Sequence, residues 1–203
     1  MSSEGVVKLP GLPFELRWLS PPALFERGDD VLRIGAGPAT DWFTDPAGEG
    51  NPVSNAPALV GRAEGDYTLG ARVKVDFAAT FDAGALMLHA DEWTWAKLCF
   101  ELSPDGQPMV VSVVTRGLSD DCNSFVVDGE SVWLRIARIG RAFALHASTD
   151  GHRWALIRHF SLDGSSEPEL GFEAQSPTGD GCIVTFDQVR FEERRLADLR
   201  SGD

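Results

Sequence analysis

The sequence predicts an all-β fold, a two-sheet antiparallel sandwich, on three observations. Few segments carry a helical apolar period over ten residues. Short alternating runs recur instead along most of the chain, and those runs are closed by Gly, Pro, Asp or Asn.

Taken in order, the first predicted strands are 14–19, ended by Ser20-Pro21-Pro22, then 23–27 and 31–35, separated by Gly28-Asp29-Asp30. Residues Asp41 to Pro57 are too broken by Pro, Gly and Asn for a strand, and a long ordered loop of this kind is often functional. Strands follow at 58–62, 67–77, 84–89, 94–102, 107–116, 124–127, 132–139, 141–148, 154–160, 169–174 and 182–191. Ser103-Pro104-Asp105-Gly106, Ile139-Gly140-Arg141 and Thr149-Asp150-Gly151-His152 are tight-turn sequences, because Gly and Asp tolerate positive φ. Strands joined this way are antiparallel neighbours, so Gly84 to Phe160 is expected to form a meander. In the last strand Val184 and Phe186 have opposite parity to Val189 and Phe191, and a β-bulge near Asp187-Gln188 would return both pairs to the core. The charged tail Glu192–Arg200, with Leu196 and Leu199 at helical spacing, predicts a short C-terminal helix or a frayed end. No repeat or linker divides the chain, so residues 1–203 are expected to be one domain with its core over about 12–191.

Alternation assigns faces. Ala96, Leu98, Phe100 and Leu102 share one side of their strand, and Trp95, Lys97, Cys99 and Glu101 share the other. Val132, Leu134 and Ile136 take the apolar side of a later strand, opposite Trp133, Arg135 and Ala137. Phe143, Leu145 and Ala147 likewise oppose Ala142, Ala144 and His146, and Ser112 is expected to point outward between Val111 and Val113. Together these strands are expected to present indole, ammonium, carboxylate, guanidinium and imidazole on one face, with room above Ala137, Ala142 and Ala144. A sugar, with an apolar C–H face and a polar rim, suits such a surface. Outward faces are also polar simply because they are wet, and Lys97 with Glu101 would then be only a surface ion pair.

Composition bounds the function. The net charge of −13, from 31 acidic and 18 basic residues, repels phosphate backbones and argues against nucleic acid as a partner. The N-terminus shows no secretory signal, and the apolar runs are strand-sized, so no membrane association is expected. Cys99, Cys122 and Cys182 are odd in number and widely spaced, as reduced cytoplasmic thiols would be.

Several segments together resemble one family. They are Trp42-Phe43-Thr44-Asp45-Pro46 with Asn55-Ala56-Pro57, Gly84-Ala85-Leu86-Met87-Leu88, Trp95-Ala96-Lys97-Leu98-Cys99-Phe100-Glu101, Val113-Val114-Thr115-Arg116-Gly117-Leu118-Ser119-Asp120 and Ser148-Thr149-Asp150-Gly151-His152-Arg153-Trp154. In their order and spacing they resemble the uncharacterised DUF1349 family, also called the regulation-of-enolase family after a fungal member. The resemblance implies a concanavalin A-like jelly roll of the lectin/glucanase superfamily, with one concave sheet face and no established reaction. Where that family usually has Trp, this chain has Asp121, which takes an aromatic platform out of that loop.

No catalytic motif is recognised. Glu101 is the one acid on the polar face of its strand, which makes it the candidate for glycoside hydrolysis, with second carboxylates confined to turns. His89, His146, His152 and His159 lack paired ligand spacing, and Asp41, Asp45, Asn51 and Asn55 fit turn hydrogen bonding better than Ca²⁺, so neither metal nor cofactor is expected. Cys99 beside Lys97 invites a lowered thiol pKa, but no His is placed to make it catalytic. The expected function is recognition of a carbohydrate or sugar-like metabolite by Trp95, Lys97, Glu101, Arg135 and His146, with Asp41, Asp82, Thr115 and Asp120 at the rim. The alternatives are a regulatory protein-interaction module of carbohydrate metabolism and a glycoside hydrolase. Unpaired edge strands leave room for a homodimer.

Overall fold

Residues 5–203, described by a computed structural model, form sixteen β-strands and no helix. In chain order they are β1 (Leu16–Ser20), β2 (Leu24–Arg27), β3 (Val31–Ala36), β4 (Trp42–Phe43), β5 (Val53–Ser54), β6 (Ala58–Gly61), β7 (Tyr67–Val75) and β8 (Ala83–Asp91). They continue as β9 (Thr94–Leu102), β10 (Pro108–Arg116), β11 (Leu118–Val126), β12 (Ser131–Ile139), β13 (Ala142–Ser148), β14 (Ala155–Ser161), β15 (Glu169–Gln175) and β16 (Cys182–Glu192). No helix among the described residues is long and apolar enough to cross a membrane.

Two seven-stranded antiparallel sheets make the sandwich, the first in the order β1-β6-β15-β8-β9-β10-β11 and the second β14-β13-β12-β7-β16-β3-β2. The apolar parities found in the sequence meet between them. Ala96, Leu98 and Phe100 of β9 lie in one buried cluster with Leu69, Ala71 and Val73 of β7 and Val132, Leu134 and Ile136 of β12. Each fully buried Leu, Ile, Val or Phe among them contributes about 1.5–3 kcal/mol. The expected bulge is present: β16 shifts register against β7 between Asp187 and Arg190, and Gln188 takes φ +50° there. Val184 and Phe186 stay in the core, and Val189 and Phe191 pack against it.

The structure corrects four expectations. The meander is two meanders, β8 to β11 in the first sheet and β12 to β14 in the second, because the chain crosses between sheets at Asp128-Gly129-Glu130. The strand expected at 124–127 begins at Leu118, paired with β10 through a turn at Gly117, whose φ is +80°. Ser112 shares parity with Val110 and Val114, so its hydroxyl is buried between the sheets without a partner. The C-terminal tail is not helical but a series of turns crossing the outside of the second sheet, with Leu196 packed on Ala137 and Ala144. The space expected above those alanines is filled by the chain's own tail.

Candidate functional site

The outer face of the first sheet carries two rows that matter. Antiparallel register aligns Met87, Lys97, Val113 and Asp121 across β8 to β11, and Gln175, Ala83, Glu101 and Met109 across β15 to β10. Between them run Glu173, Ala85, Cys99 and Val111. Ala83 and Ala85 leave room, and the segment between β3 and β6 fills part of it. That segment contains β4 and β5, a pair of two-residue strands where no strand was expected, and it is tied down at both ends of the face. Thr44 and Ser119 exchange hydrogen bonds, Thr44 N–H to the Ser119 hydroxyl at 3.0 Å and Ser119 N–H to the Thr44 carbonyl at 2.9 Å. The Trp42 indole donates to the Ala56 carbonyl at 2.9 Å and meets the Trp95 ring edge-on, centroids 5.8 Å apart.

This lid brings Asp41 onto Lys97. The ammonium is 2% exposed and donates to Asp41 Oδ1 at 2.9 Å and to Gln175 Oε1 at 2.5 Å. Gln175 in turn donates to the carbonyl of Phe81 at 3.1 Å. Above Lys97 opens a pocket of about 150 Å³ lined by Asp41, Phe43, Phe81, Lys97, Glu101, Val113, Asp121 and Gln175. At roughly 30 Å³ per water, it has room for about five. Phe81, at the rim, holds φ +70°, a strained backbone of the kind that collects at functional sites.

One cation therefore faces four carboxyls. Glu173 is fully buried with no hydrogen-bond partner for either oxygen, and burial pushes its pKa up to about 8 against the pull of Lys97. Glu101 is likewise raised to about 8 by burial, with Lys97 again opposing. Asp121 is raised too, by loss of solvent first. Burial alone would lower the pKa of Lys97, but its carboxyl neighbours, Asp41 first, outweigh it and the ammonium stays charged. At neutral pH the pocket thus offers an ammonium donor, a carboxyl donor on Glu101, and the oxygens of Asp41 and Gln175.

Of the residues singled out in the sequence, Lys97, Glu101 and Asp41 meet here, and Lys97 pairs with Asp41 rather than Glu101. Trp95 has the expected parity but is 1% exposed beneath Trp42, so no ring face is free for stacking. Thr115 is buried beside Trp95 in register and shares a hydrogen bond with Ser119. Asp82 is a turn staple: it accepts from the Ala78 and Ala79 amides and the Ser176 hydroxyl. Asp120 points away from the pocket and pairs with Arg158 of β14, whereas its neighbour Asp121 lines it. Arg135 and His146 belong to the second sheet. The tail covers them, with Arg135 Nη2 donating to the Gly202 carbonyl at 2.7 Å and His146 Nε2 at 2.8 Å from that of Leu199. The single face expected to gather all five polar side chains is two faces on opposite sheets. Cys99 is fully buried, and burial raises its thiol pKa far more than Lys97 lowers it.

Sequence reasoning missed Glu173, Gln175 and Asp121. The alternation of Leu170, Phe172 and Ala174 puts Glu173 and Gln175 on the outer face by the same rule used for Lys97, but only the pairing of β15 with β8 sets them beside it. Among the described residues no group of His, Cys, Asp or Glu is arranged to hold a metal ion. Asp45 and Asn55 bond to the local backbone instead.

A family model described as a protein of unknown function, DUF1349, matches residues 18–194. The fold is similar to that of a functionally unknown protein from Saccharomyces cerevisiae, 23% identical over 89% of this chain and 97% of that one, with a TM-score of 0.81. It is also similar to part of a xylan beta-1,4-xylosidase from Bacillus halodurans C-125, at 14% identity and TM-score 0.68. There, 95% of this chain spans 41% of that one. An alginate lyase from Alteromonas sp. 272 is similar at 12% identity and TM-score 0.57, over 87% of this chain and 93% of that one. No curated protein matches the chain.

Proposed function

The chain belongs to the DUF1349 family, and from that premise we propose that it binds a small carbohydrate, or a metabolite with the same pattern of hydroxyls, in the pocket above Lys97. One observation carries this reading: the buried Lys97 ammonium, the Glu101 and Asp121 carboxyls, both with raised pKa, and the Gln175 amide all line one small open cavity. A charged network that leaves its groups underpartnered costs stability, and such groups cluster where a ligand completes them. Sugar hydroxyls both donate and accept, so they match a wall that mixes Lys97 and protonated Glu101 with Asp41 and Asp121. Phe43 and Phe81 supply the apolar edge that the buried Trp95 does not.

Calorimetric titration with neutral monosaccharides and short xylo- and gluco-oligosaccharides tests it. Binding is expected for at least one, weakened about tenfold or more in Asp121→Asn and Glu101→Ala, each change removing one hydrogen-bonding carboxyl from the wall. Heat from none of these ligands would overturn the proposal.

A second reading, glycoside hydrolysis, is favoured by one observation: Glu101 keeps its proton to about pH 8, as a general acid must, with Asp121 in the same pocket. The likeness of fold to part of a xylosidase fits that reading. Turnover of an aryl xyloside or glucoside that Glu101→Gln abolishes would establish it, and its absence across such a panel leaves binding alone.

A further inference from the structure

A second pocket lies on the outer face of the other sheet and has the opposite electrostatic character. It encloses about 240 Å³ and includes Trp133, Arg135, Trp154, Arg190, Glu192 and Arg194 in its lining. Arg135 is 6% exposed and makes no ion pair. Its guanidinium lies 4.1 Å over the Trp154 ring, one nitrogen is anchored to the Gly202 carbonyl, and Nε is buried with no partner. Burial first, then Arg194, lowers its pKa to about 10, which leaves it fully charged at neutral pH.

No carboxylate among the described residues forms an ion pair with it, and Glu192 and Asp203 act on it only at longer range. Asp150 is occupied by the backbone amides of His152 and Arg153 and by the Ser148 hydroxyl, and Glu192 is taken by Arg194 at 2.7 Å. Arg190, exposed beside them, has no carboxylate partner among the described residues either. A chain of net charge −13 therefore holds two unmatched guanidiniums at one spot, one of them buried and fixed in orientation. Keeping a buried cation unpaired is costly unless an anion arrives to pair with it. A planar fork whose orientation is already set loses little entropy in gripping an oxyanion. The cavity holds about eight waters' volume, more than a bare oxyanion needs, and indole lines its wall.

We propose that this pocket binds a small ring-bearing organic anion, its phosphate or carboxylate gripped by Arg135 and Arg190 and its ring packed against Trp133. The site is separate from the Lys97 pocket and does not rest on the function proposed for it.

The test is titration of the full chain with glucose 6-phosphate, glucuronate, glucose and inorganic phosphate, read from the indole N–H resonances of Trp133 and Trp154. The two acidic probes distinguish phosphate from carboxylate recognition, and at least one is expected to bind ten times or more tighter than glucose at these indoles. Arg190→Glu is expected to weaken that binding about tenfold or more with the melting temperature unchanged, because Arg190 is exposed and unpaired. Arg135→Lys, which keeps the charge and loses the fork, is expected to weaken it as well. Glu101→Gln is expected to leave it alone. The proposal is overturned if neither acid binds, if Arg190→Glu binds as well as the native chain, or if Glu101→Gln removes the binding. Inorganic phosphate binding as tightly as glucose 6-phosphate would overturn the ring contact.

Discussion

Lys97 and Glu173 were unequally visible in the sequence, although one rule governs both. Parity along 94–102 puts Lys97 opposite Leu98 and Phe100, and a residue on that side can be found without knowing its neighbours. What parity cannot supply is what lies above the face, so Lys97 and Trp95 looked solvent-facing when a loop buries them. Asp120 and Asp121 make the same point: the choice between adjacent acids turns on the phase of β11, and a strand with no apolar rhythm gives none. Two predictions belong at this scale. Lys97→Met removes the one buried cation that faces the four carboxyls and is expected to cost about 3 kcal/mol in chemical denaturation. Asp41→Asn is expected to cost at least as much, because it leaves the ammonium buried without its ion-pair partner, whereas Lys97→Met leaves a carboxylate that reaches solvent. A negligible cost for Asp41→Asn would mean that Asp41 is not what holds the ammonium charged. Phe81→Gly removes a side chain from a residue at φ +70°, where L-residues are strained by roughly 1–2 kcal/mol. The melting temperature is expected not to fall, while affinity for the pocket's ligand does. A large loss of stability would mean that the Phe81 side chain serves packing and not the site.

Elements were legible where the chain itself closes the hairpin. The turns at Gly106, Gly140 and Gly151 fixed five strands with near-correct bounds, since a connection of two to six residues leaves the next strand one place to go. The crossing at Asp128-Gly129-Glu130 is as short as a hairpin turn, yet it leads to the other sheet, and nothing local distinguishes the two. That is why Arg135 and His146 were expected beside Lys97. β11 was half missed because it is an edge strand with polar side chains on both faces, the composition that protects an edge from pairing with another chain. The β16 bulge was legible because the apolar parity breaks within one strand. It carries a sharp prediction. Residues 188 and 189 together oppose Ala71 of β7, so deleting Gln188 restores unbroken pairing with Val189 and Phe191 still inward. The deletion variant is expected to fold with its β-sheet circular dichroism intact. Deleting Thr185 flips Val184 against Phe186 and is expected to abolish folding. If the two deletions behave alike, the register at Gln188 is not what holds these residues in the core.

For the whole molecule, the two buried carboxyls of the first sheet set a stability profile that runs opposite to that of an ordinary acidic protein. Most carboxylates in native proteins are stabilised ionised, so stability grows as pH rises out of the acid range. Asp91 and Asp150, held near pKa 2 by backbone amides, contribute in that sense between about pH 2 and 4. His146, lowered to about 4 by burial, adds stability as pH rises through roughly 4 to 6.5, because the unfolded chain still binds its proton there and the folded chain does not. Glu101 and Glu173 act the other way. Both are protonated in folded and unfolded chains below pH 4.5. Between 4.5 and about 8 the unfolded chain ionises while the folded chain keeps its protons, so each removes stability by up to about 1.4 kcal/mol per pH unit. Once His146 has titrated, nothing offsets them. The melting temperature is therefore expected to fall between pH 6.5 and pH 8. Glu173→Gln, a neutral replacement of similar shape, is expected to match the native chain near pH 5, exceed it at pH 8, and show about half the slope between them. A native melting temperature that is flat or rising from pH 6.5 to 8 would mean that Glu173 is ionised beneath the lid, paired with Lys97 as strongly as Asp41 is.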